Sequence, residues 1–485
     1  MSLAINVLEP REIWNNFANL NAVPRPSKKE ERVIQFMISF GENLGLETFS
    51  DAVGNVIIRK PATEGYADRK MVTLQSHLDM VHQKNADTDF NFDTQGIAMY
   101  VAGDWVKAKG TTLGADNGIG VATIMGLLES TTIPHPPLEA LFTIDEETGM
   151  TGAMGLEAGV LQGQILLNLD TEEDDEIDIG CAGGIDVTAT RTYKEEPLAN
   201  AYTGFRITVK GLQGGHSGME IDLGLGNANT IMNQLLTQGS TDHGLRISGI
   251  DGGGLRNAIP RESFADIAIP NAEVAAFQKH FKTWVLALKE EYNKDPEFHC
   301  QLEEIKTVDT AMEAPAQEAL LKGLSAAHNG VYAMSTTMEN LVETSNNIAR
   351  VIVAQEEITI KCLTRSSVND AKMQLANELK TTFETMGCRV AFSGAYPGWN
   401  PNPDSPILVV LKAQYTALFK TAPRVVACHA GLECGILGKN YPEMDMISIG
   451  PTIKGAHSPD ERVRISSVQK YWKFVLEILK HIPKK

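Results

Sequence analysis

Basic residues are scarce in this chain. Lys and Arg number 43 against 61 Asp and Glu, a formal net charge of −18. Nucleic-acid and anionic-membrane surfaces need clustered positive charge, so both partner classes are disfavoured. Long apolar runs are missing as well: none approaches the roughly 18 to 20 residues of a membrane span. The start, Met1-Ser-Leu-Ala-Ile-Asn6, has no basic stretch followed by an apolar core, so no secretory leader is expected. The six cysteines, at 181, 300, 362, 388, 428 and 434, are scattered and form no Cys-x-x-Cys pair. That excludes a disulfide framework and points to reduced thiols in a cytoplasmic protein.

What is present is size and apolar content. A chain of 485 residues, 43% of them hydrophobic, buries large cores and exceeds one ordinary domain. Trp14 and Phe17 stand at helix spacing, and Ser27-Lys-Lys-Glu30 reads as a capping box ahead of Val33, Ile34, Met37 and Ile38, with Gly45 ending that helix. Short strands at Val56 to Arg59, Val72 to Gln75, Leu138 to Ile144 and Ile165 to Leu169 alternate with helical stretches, the pattern of a layered α/β domain. From about Val187 the texture changes. Strands at Phe205 to Lys210 and Phe264 to Ile269 flank a helix at Asn227 to Leu236, and Val274, Phe277, Phe281, Trp284 and Leu288 mark another helix. A similar order recurs with a strand at Ile358 to Arg365, a helix from Val368 to Thr385 and a strand at Arg389 to Phe392. The expectation is an α/β domain over residues 1–186 and 400–485, interrupted at 187–399 by an α+β insert in two similar halves. The turn-rich Gly394 to Asp404 serves as the return linker.

The chemistry-bearing residues lie at strand ends, where sites form in such sheets. Leu74-Gln-Ser-His-Leu-Asp-Met-Val81 ends a strand with His77 and Asp79 on one face, because side chains alternate. A carboxylate beside a histidine can fix its tautomer for metal binding. Asp116 lies in the Gly-rich loop Gly114-Ala-Asp-Asn-Gly118 before a helix, where a helix cap is the competing explanation. Asp145-Glu-Glu147 closes the strand Leu141 to Ile144. It is either an acidic surface turn or a pair in which one Glu binds metal and its neighbour works on water. Asp170 opens an acidic run at the end of the next strand, and His457 lies in a distant loop, where histidines are usually structural. Two histidines and three carboxylates from separate strand ends suit two divalent ions sharing one carboxylate, zinc best of all. Such a pair would hold a bridging hydroxide and polarise a carbonyl.

These motifs resemble a known family, the aminoacyl-histidine dipeptidases (Xaa-His dipeptidases, or carnosinases), among the di-zinc exopeptidases that include aminoacylase and carboxypeptidase G relatives. The resemblance runs nearly end to end, through Ser76 to Val81, Gly110 to Gly120, Cys181-Ala-Gly-Gly-Ile-Asp186, Gly214-Gly-His-Ser-Gly218, Leu255-Arg-Asn-Ala-Ile-Pro260, His429-Ala-Gly-Leu-Glu-Cys-Gly435 and His457-Ser-Pro-Asp-Glu461. It implies a three-layer zinc-exopeptidase-like catalytic domain with a mixed sheet, interrupted by a lid domain. His77, Asp116 and Asp170 would bind one zinc, and Asp116, Glu147 and His457 the other, with manganese or cobalt as substitutes. Asp79 would orient His77, Glu146 would be the general base, and the peptide between Asp116 and Asn117 would be cis. His216 would donate to the oxyanion and Arg365 would bind a substrate carboxylate. Asn257 and the Gly435 backbone would contact substrate.

Asp rather than Glu at position 170 looks like the free-amine choice, which favours unblocked dipeptides over N-acyl substrates, and the resemblance implies Xaa-His dipeptides, β-alanyl-histidine included. Two other readings compete: an N-acyl amino acid hydrolase or carboxypeptidase of the same superfamily, and a metal-binding scaffold without turnover. Homodimerisation is left open by the sequence.

Overall fold

The computed structural model describes residues 5–198, 201–306 and 308–485. The start of the Met1 to Asn6 segment therefore lies outside the described residues. The chain divides into two compact units, one comprising residues up to Gly180 with Pro401–Ala427 and Leu432–Lys485, the other Cys181–Asn400 with Cys428–Gly431.

The first unit is built on an eight-stranded sheet. Its strand order is Glu47–Ser50, Val56–Lys60, Leu138–Thr143, Val72–His77, Ile165–Asn168, Asp445–Ser448, Glu176–Cys181 and Arg424–Cys428. The central strands pair in parallel, while Glu47–Ser50 with Val56–Lys60, Val56–Lys60 with Leu138–Thr143 and Asp445–Ser448 with Glu176–Cys181 pair antiparallel, so the sheet is mixed. Val72–His77, Leu138–Thr143 and Ile165–Asn168 are buried at every residue. Strands covered on both faces belong to a layered α/β arrangement. The helix Ala115–Glu129 packs on Val72–His77 and is itself covered by Arg11–Asn21. It is apolar all round, as a helix between two layers must be. A separate four-stranded sheet contains Met99–Ala102, Trp105–Ala108, Arg462–Arg464 and Ile453–Lys454. Its last two strands form the hairpin whose loop carries His457.

The helix expected after Ser27 is present as Glu31–Asn43, but its N-terminus has no side-chain cap. The Ser27 hydroxyl instead donates to Asp79 Oδ2 at 2.8 Å, a tertiary bond that wins over the local one.

The second unit is organised on one antiparallel sheet of nine strands. They follow the order His299–Glu304, Tyr202–Lys210, Ser263–Pro270, Arg246–Gly253, Val342–Ala354, Glu357–Ser366, Gly183–Thr192 and Arg389–Tyr396, with Gly330–Met334 beside Val342–Ala354. The helices Ala228–His243, Val274–Glu291, Ala314–Ala326 and Asn369–Thr385 contribute to a single apolar core with it. The two α+β stretches read in the sequence are thus parts of one sheet. They meet where Arg246–Gly253 pairs with Val342–Ala354. The strand Arg389–Tyr396 continues past Gly394, and Trp399 then exchanges backbone hydrogen bonds with Cys181, both at 2.9 Å. Residues 394–399 therefore belong to the sheet and its edge, and the first turn of the linker is taken up by the fold.

Candidate metal centre

His77 is the last residue of its strand and, like Asp79, is buried. Its Nδ1 lies 3.1 Å from the Asp79 carbonyl and 3.4 Å from Asp79 Oδ1. Asp79 also accepts the Glu146 amide at 3.0 Å on Oδ1 and the Glu147 amide at 3.3 Å on Oδ2. One buried carboxylate therefore holds both the histidine and the turn that carries the two glutamates.

With Nδ1 committed, His77 Nε2 faces outward, 3.2 Å from Asp116 Oδ1 and 3.6 Å from Asp170 Oδ1. Asp116 is in the first turn of Ala115–Glu129, where Asp116 and Asn117 depart from helical geometry and the peptide between them is cis. Gly114, with φ +69°, is the N-terminal boundary residue, so Asp116 is not the cap. Its second oxygen, Oδ2, lies 3.2 Å from His457 Nε2, which is in turn 2.9 Å from Glu147 Oε2. The polymer thus brings five separated residues into two triads, His77 with Asp116 and Asp170, and Asp116 with Glu147 and His457. In each, the donor atoms lie within 4.8 Å of one another, and Asp116 belongs to both. Glu146 forms a third such group with His77 and Glu147. Asn117 donates to Asp170 Oδ1 and, at 2.7 Å, to the Leu169 carbonyl, which steadies the last ligand.

The electrostatics of this cluster fit a cation site. Burial raises Glu146 well above the usual carboxylate range, raises Glu147 with help from Asp116, and pushes Asp170 up to about 8. Asp116 goes the other way: its bonds to His457 and His77 outweigh burial and lower it. Burial works against the charge on His77, but Asp170, Asp116 and Asp79 together raise it well above its ordinary value. Bonds to Asp116 and Glu147 hold the His457 imidazolium up to about 11. The shifts of His77, His457 and Asp170 favour protonation at atoms that a divalent cation would otherwise take. Glu147 Oε1 is buried without a hydrogen-bond partner, a donor atom whose desolvation nothing in the protein offsets. A set of two imidazoles and three carboxylates suits zinc, manganese or cobalt.

The second unit brings three of the remaining candidate residues onto neighbouring elements. Gly215–His216 pairs with Ala258–Ile259, and the Ser217 amide donates to the Asn257 carbonyl at 2.8 Å. His216 Nδ1 accepts the amides of Gly218 and Met219 at 3.1 and 3.0 Å. A nitrogen accepting two N–H groups carries no proton, which places the ring proton on Nε2. Arg365 is buried, donates from Nη1 to the Tyr396 hydroxyl at 3.0 Å, and keeps Nε without a partner. Gly184, opposite Arg365 in the sheet, lets the Tyr396 ring approach: a Cβ there would lie 2.6 Å from it. Gly435, in the first unit, is buried in the helix Glu433–Asn440, its amide donated to Leu432 at 3.1 Å. That amide offers a ligand no donor.

Four further residues, to which the sequence assigned no role, have contacts or charges of note. Arg25, between two prolines, is buried against the loops of His77 and Asp116. Glu433 Oε2 accepts Gln75 Nε2 and Thr143 Oγ1, both at 2.6 Å, and burial pushes it up to about 7. Glu172 is pushed up to about 8 by burial and by Asp116 and Asp170. His429 Nε2 lies 2.8 Å from Ser345 Oγ, and burial with Arg365 nearby lowers it to about 3.

Residues 73–481 match peptidase family M20/M25/M40. The chain is 43% identical over 482 residues to the cytosol non-specific dipeptidase of Escherichia coli K12, covering 99% of each. Among solved structures, the aminoacylhistidine dipeptidase of Vibrio alginolyticus superposes with a TM-score of 0.93 at 42% identity, over 100% of this chain and 99% of that one. The aminopeptidase PepT of Bacillus cereus shares the fold, with a TM-score of 0.57 at 16% identity over 98% and 99% of the two chains. The chain belongs to peptidase family M20/M25/M40 and is a peptide hydrolase.

Proposed function

We propose that the chain is a dipeptidase that cleaves unblocked dipeptides, Xaa-His and β-alanyl-histidine among them, with two zinc ions as its cofactors. The observation that carries this reading is Asp116, whose two oxygens lie 3.2 Å from two different histidines. A carboxylate so placed would hold a pair of cations together with the two histidines. The names of the Escherichia coli and Vibrio alginolyticus relatives support the substrate class and, for the former, a cytoplasmic location. Among the described residues no helix is long and apolar enough to cross a membrane.

His77, Asp116 and Asp170 would hold one ion and Asp116, Glu147 and His457 the other. When bound, the ions lower the pKa of water and polarise the scissile carbonyl. Asp79 keeps His77 in the tautomer that leaves Nε2 for the metal. The Glu146 carboxylate takes a proton from the attacking water and returns it to the leaving amine nitrogen. His216 donates from Nε2 to the carbonyl oxygen as negative charge develops there. Arg365, with its unused Nε, pairs with the terminal carboxylate of the dipeptide, for which a guanidinium fork is suited. Asn257 is a substrate contact beside His216.

The test is a panel of free dipeptides and their N-acetylated forms, offered to metal-stripped protein with zinc, manganese or cobalt restored in turn. The reading predicts no turnover without metal and cleavage of the free dipeptides on its return. Preferential cleavage of the N-acetylated forms would make the chain an N-acyl hydrolase instead.

A further inference from the structure

Glu461 closes the motif that begins at His457, and the chemistry above makes no use of it. Its buried carboxylate accepts four consecutive backbone amides. Oε2 takes those of Leu113 at 2.6 Å and Gly114 at 2.9 Å, and Oε1 those of Ala115 at 2.7 Å and Asp116 at 3.2 Å. The last of these amides belongs to the residue shared by both triads. From the carbonyl side, the buried guanidinium of Arg25 donates to Gly114 at 2.6 Å and to Leu78 and Asp79 at 2.9 and 3.0 Å. A Cβ on Gly114 would lie 2.5 Å from Arg25 Nη2, so the turn is gripped without slack.

His457 is held quite differently. Its side chain is 57% exposed. It sits in a loop between two short strands, with its own φ at +64° and Gly455 at +69°. Apart from the contacts of Nε2 with Asp116 and Glu147, the ring depends on the course of its loop for its position. Glu461, whose own amide donates to Ser458 at 3.0 Å, stands at one end of that loop.

We propose that Glu461 is a positioning residue that fastens the His457 loop to the Asp116 turn and so sets the spacing of the ligands shared by the second cation. The other triad shares only Asp116, whose turn Arg25 also grips through the Gly114 carbonyl, and its His77 and Asp170 owe their geometry to the sheet. The inference rests on the two-cation reading above.

Glutamine at this position presents one oxygen and an amino group, and the amino group would face donors. The experiment is dialysis of zinc-loaded full-length protein against a series of chelator strengths, with zinc per chain counted by elemental analysis and folding followed by circular dichroism. The native protein is expected to carry two ions. Glu461→Gln should keep one and release the other at about 10- to 100-fold lower chelator strength, the usual cost of losing a ligand's support. The visible spectrum of the cobalt-loaded variant should lose the contribution of one site. Glu461→Asp, which retains the charge, should recover part of the retention.

A native protein that binds fewer than two ions overturns the two-cation reading and leaves nothing for Glu461 to position. Native protein with two ions and a Gln variant that holds both as tightly overturns the role of Glu461 alone. Simultaneous loss of both ions, or failure to fold as both Gln and Asp, would assign Glu461 to the general fold and equally overturn it.

Discussion

Glu146 and Glu147 are neighbours in sequence with different contacts. Glu147 reaches His457 at 2.9 Å, whereas Glu146 approaches His77 without a hydrogen bond of its own to either histidine. If Glu146 moves the proton and Glu147 holds metal, Glu146→Gln should retain both ions and lose turnover by at least about 10² to 10⁴-fold, the contribution of a positioned acid–base group. Elemental analysis alongside kcat checks both halves, and substantial residual hydrolysis would remove Glu146 from its role. At this scale the sequence was informative wherever strand alternation or a run of carboxylates drew attention to a residue, as at His77, Asp79 and Glu146. Arg25, Glu433 and Glu461 were not legible in that way. Each acts through partners more than fifty positions distant, as in Arg25 to Leu78, and none of the three follows a local periodicity.

The elements that matter most are the helix Ala115–Glu129 and the strand ends it packs against. Gly120 lets them touch: a Cβ there would lie 2.3 Å from Asn117 Oδ1, 2.5 Å from Ser76 Oγ and 2.8 Å from the Leu169 carbonyl. Gly120→Ala should therefore push the helix away from strand ends that carry His77 and Asp170. A loss of about 1 to 3 kcal/mol is expected for overpacking, read from the urea midpoint, together with weaker zinc retention. An unchanged midpoint would mean that the contact is looser than the distances state. Buried strands such as Val72–His77 and the amphipathic helix Val274–Glu291 were legible because their apolar runs and spacing are local properties. The pairing of Arg246–Gly253 with Val342–Ala354, which makes one sheet of two stretches, was not. Register between strands so far apart in sequence leaves no periodic trace.

Across the whole molecule, cation binding and protonation compete for one set of atoms. Asp116 and Glu147 hold His457 up to about 11 without metal, and burial holds Asp170 up to about 8. At pH 7 His457 is favoured as the imidazolium and Asp170 is shifted toward its protonated form, and each must be deprotonated to become a ligand. Binding of a divalent cation should therefore release protons, with affinity falling as the pH falls. Titration calorimetry at pH 7 in buffers of different ionisation heat should report at least one proton released per chain, and zero release would contradict the assignment of these two ligands.

Asp116 is proposed to bridge two ions held by residues from five separate places in the chain. Diffraction from zinc-loaded crystals on either side of the zinc absorption edge tests this bridge most directly. Two anomalous peaks per chain are expected, about 3.5 to 4 Å apart, one bonded to His77, Asp116 and Asp170 and the other to Asp116, Glu147 and His457. A single peak, or a pair in which Asp116 touches only one ion, would contradict it.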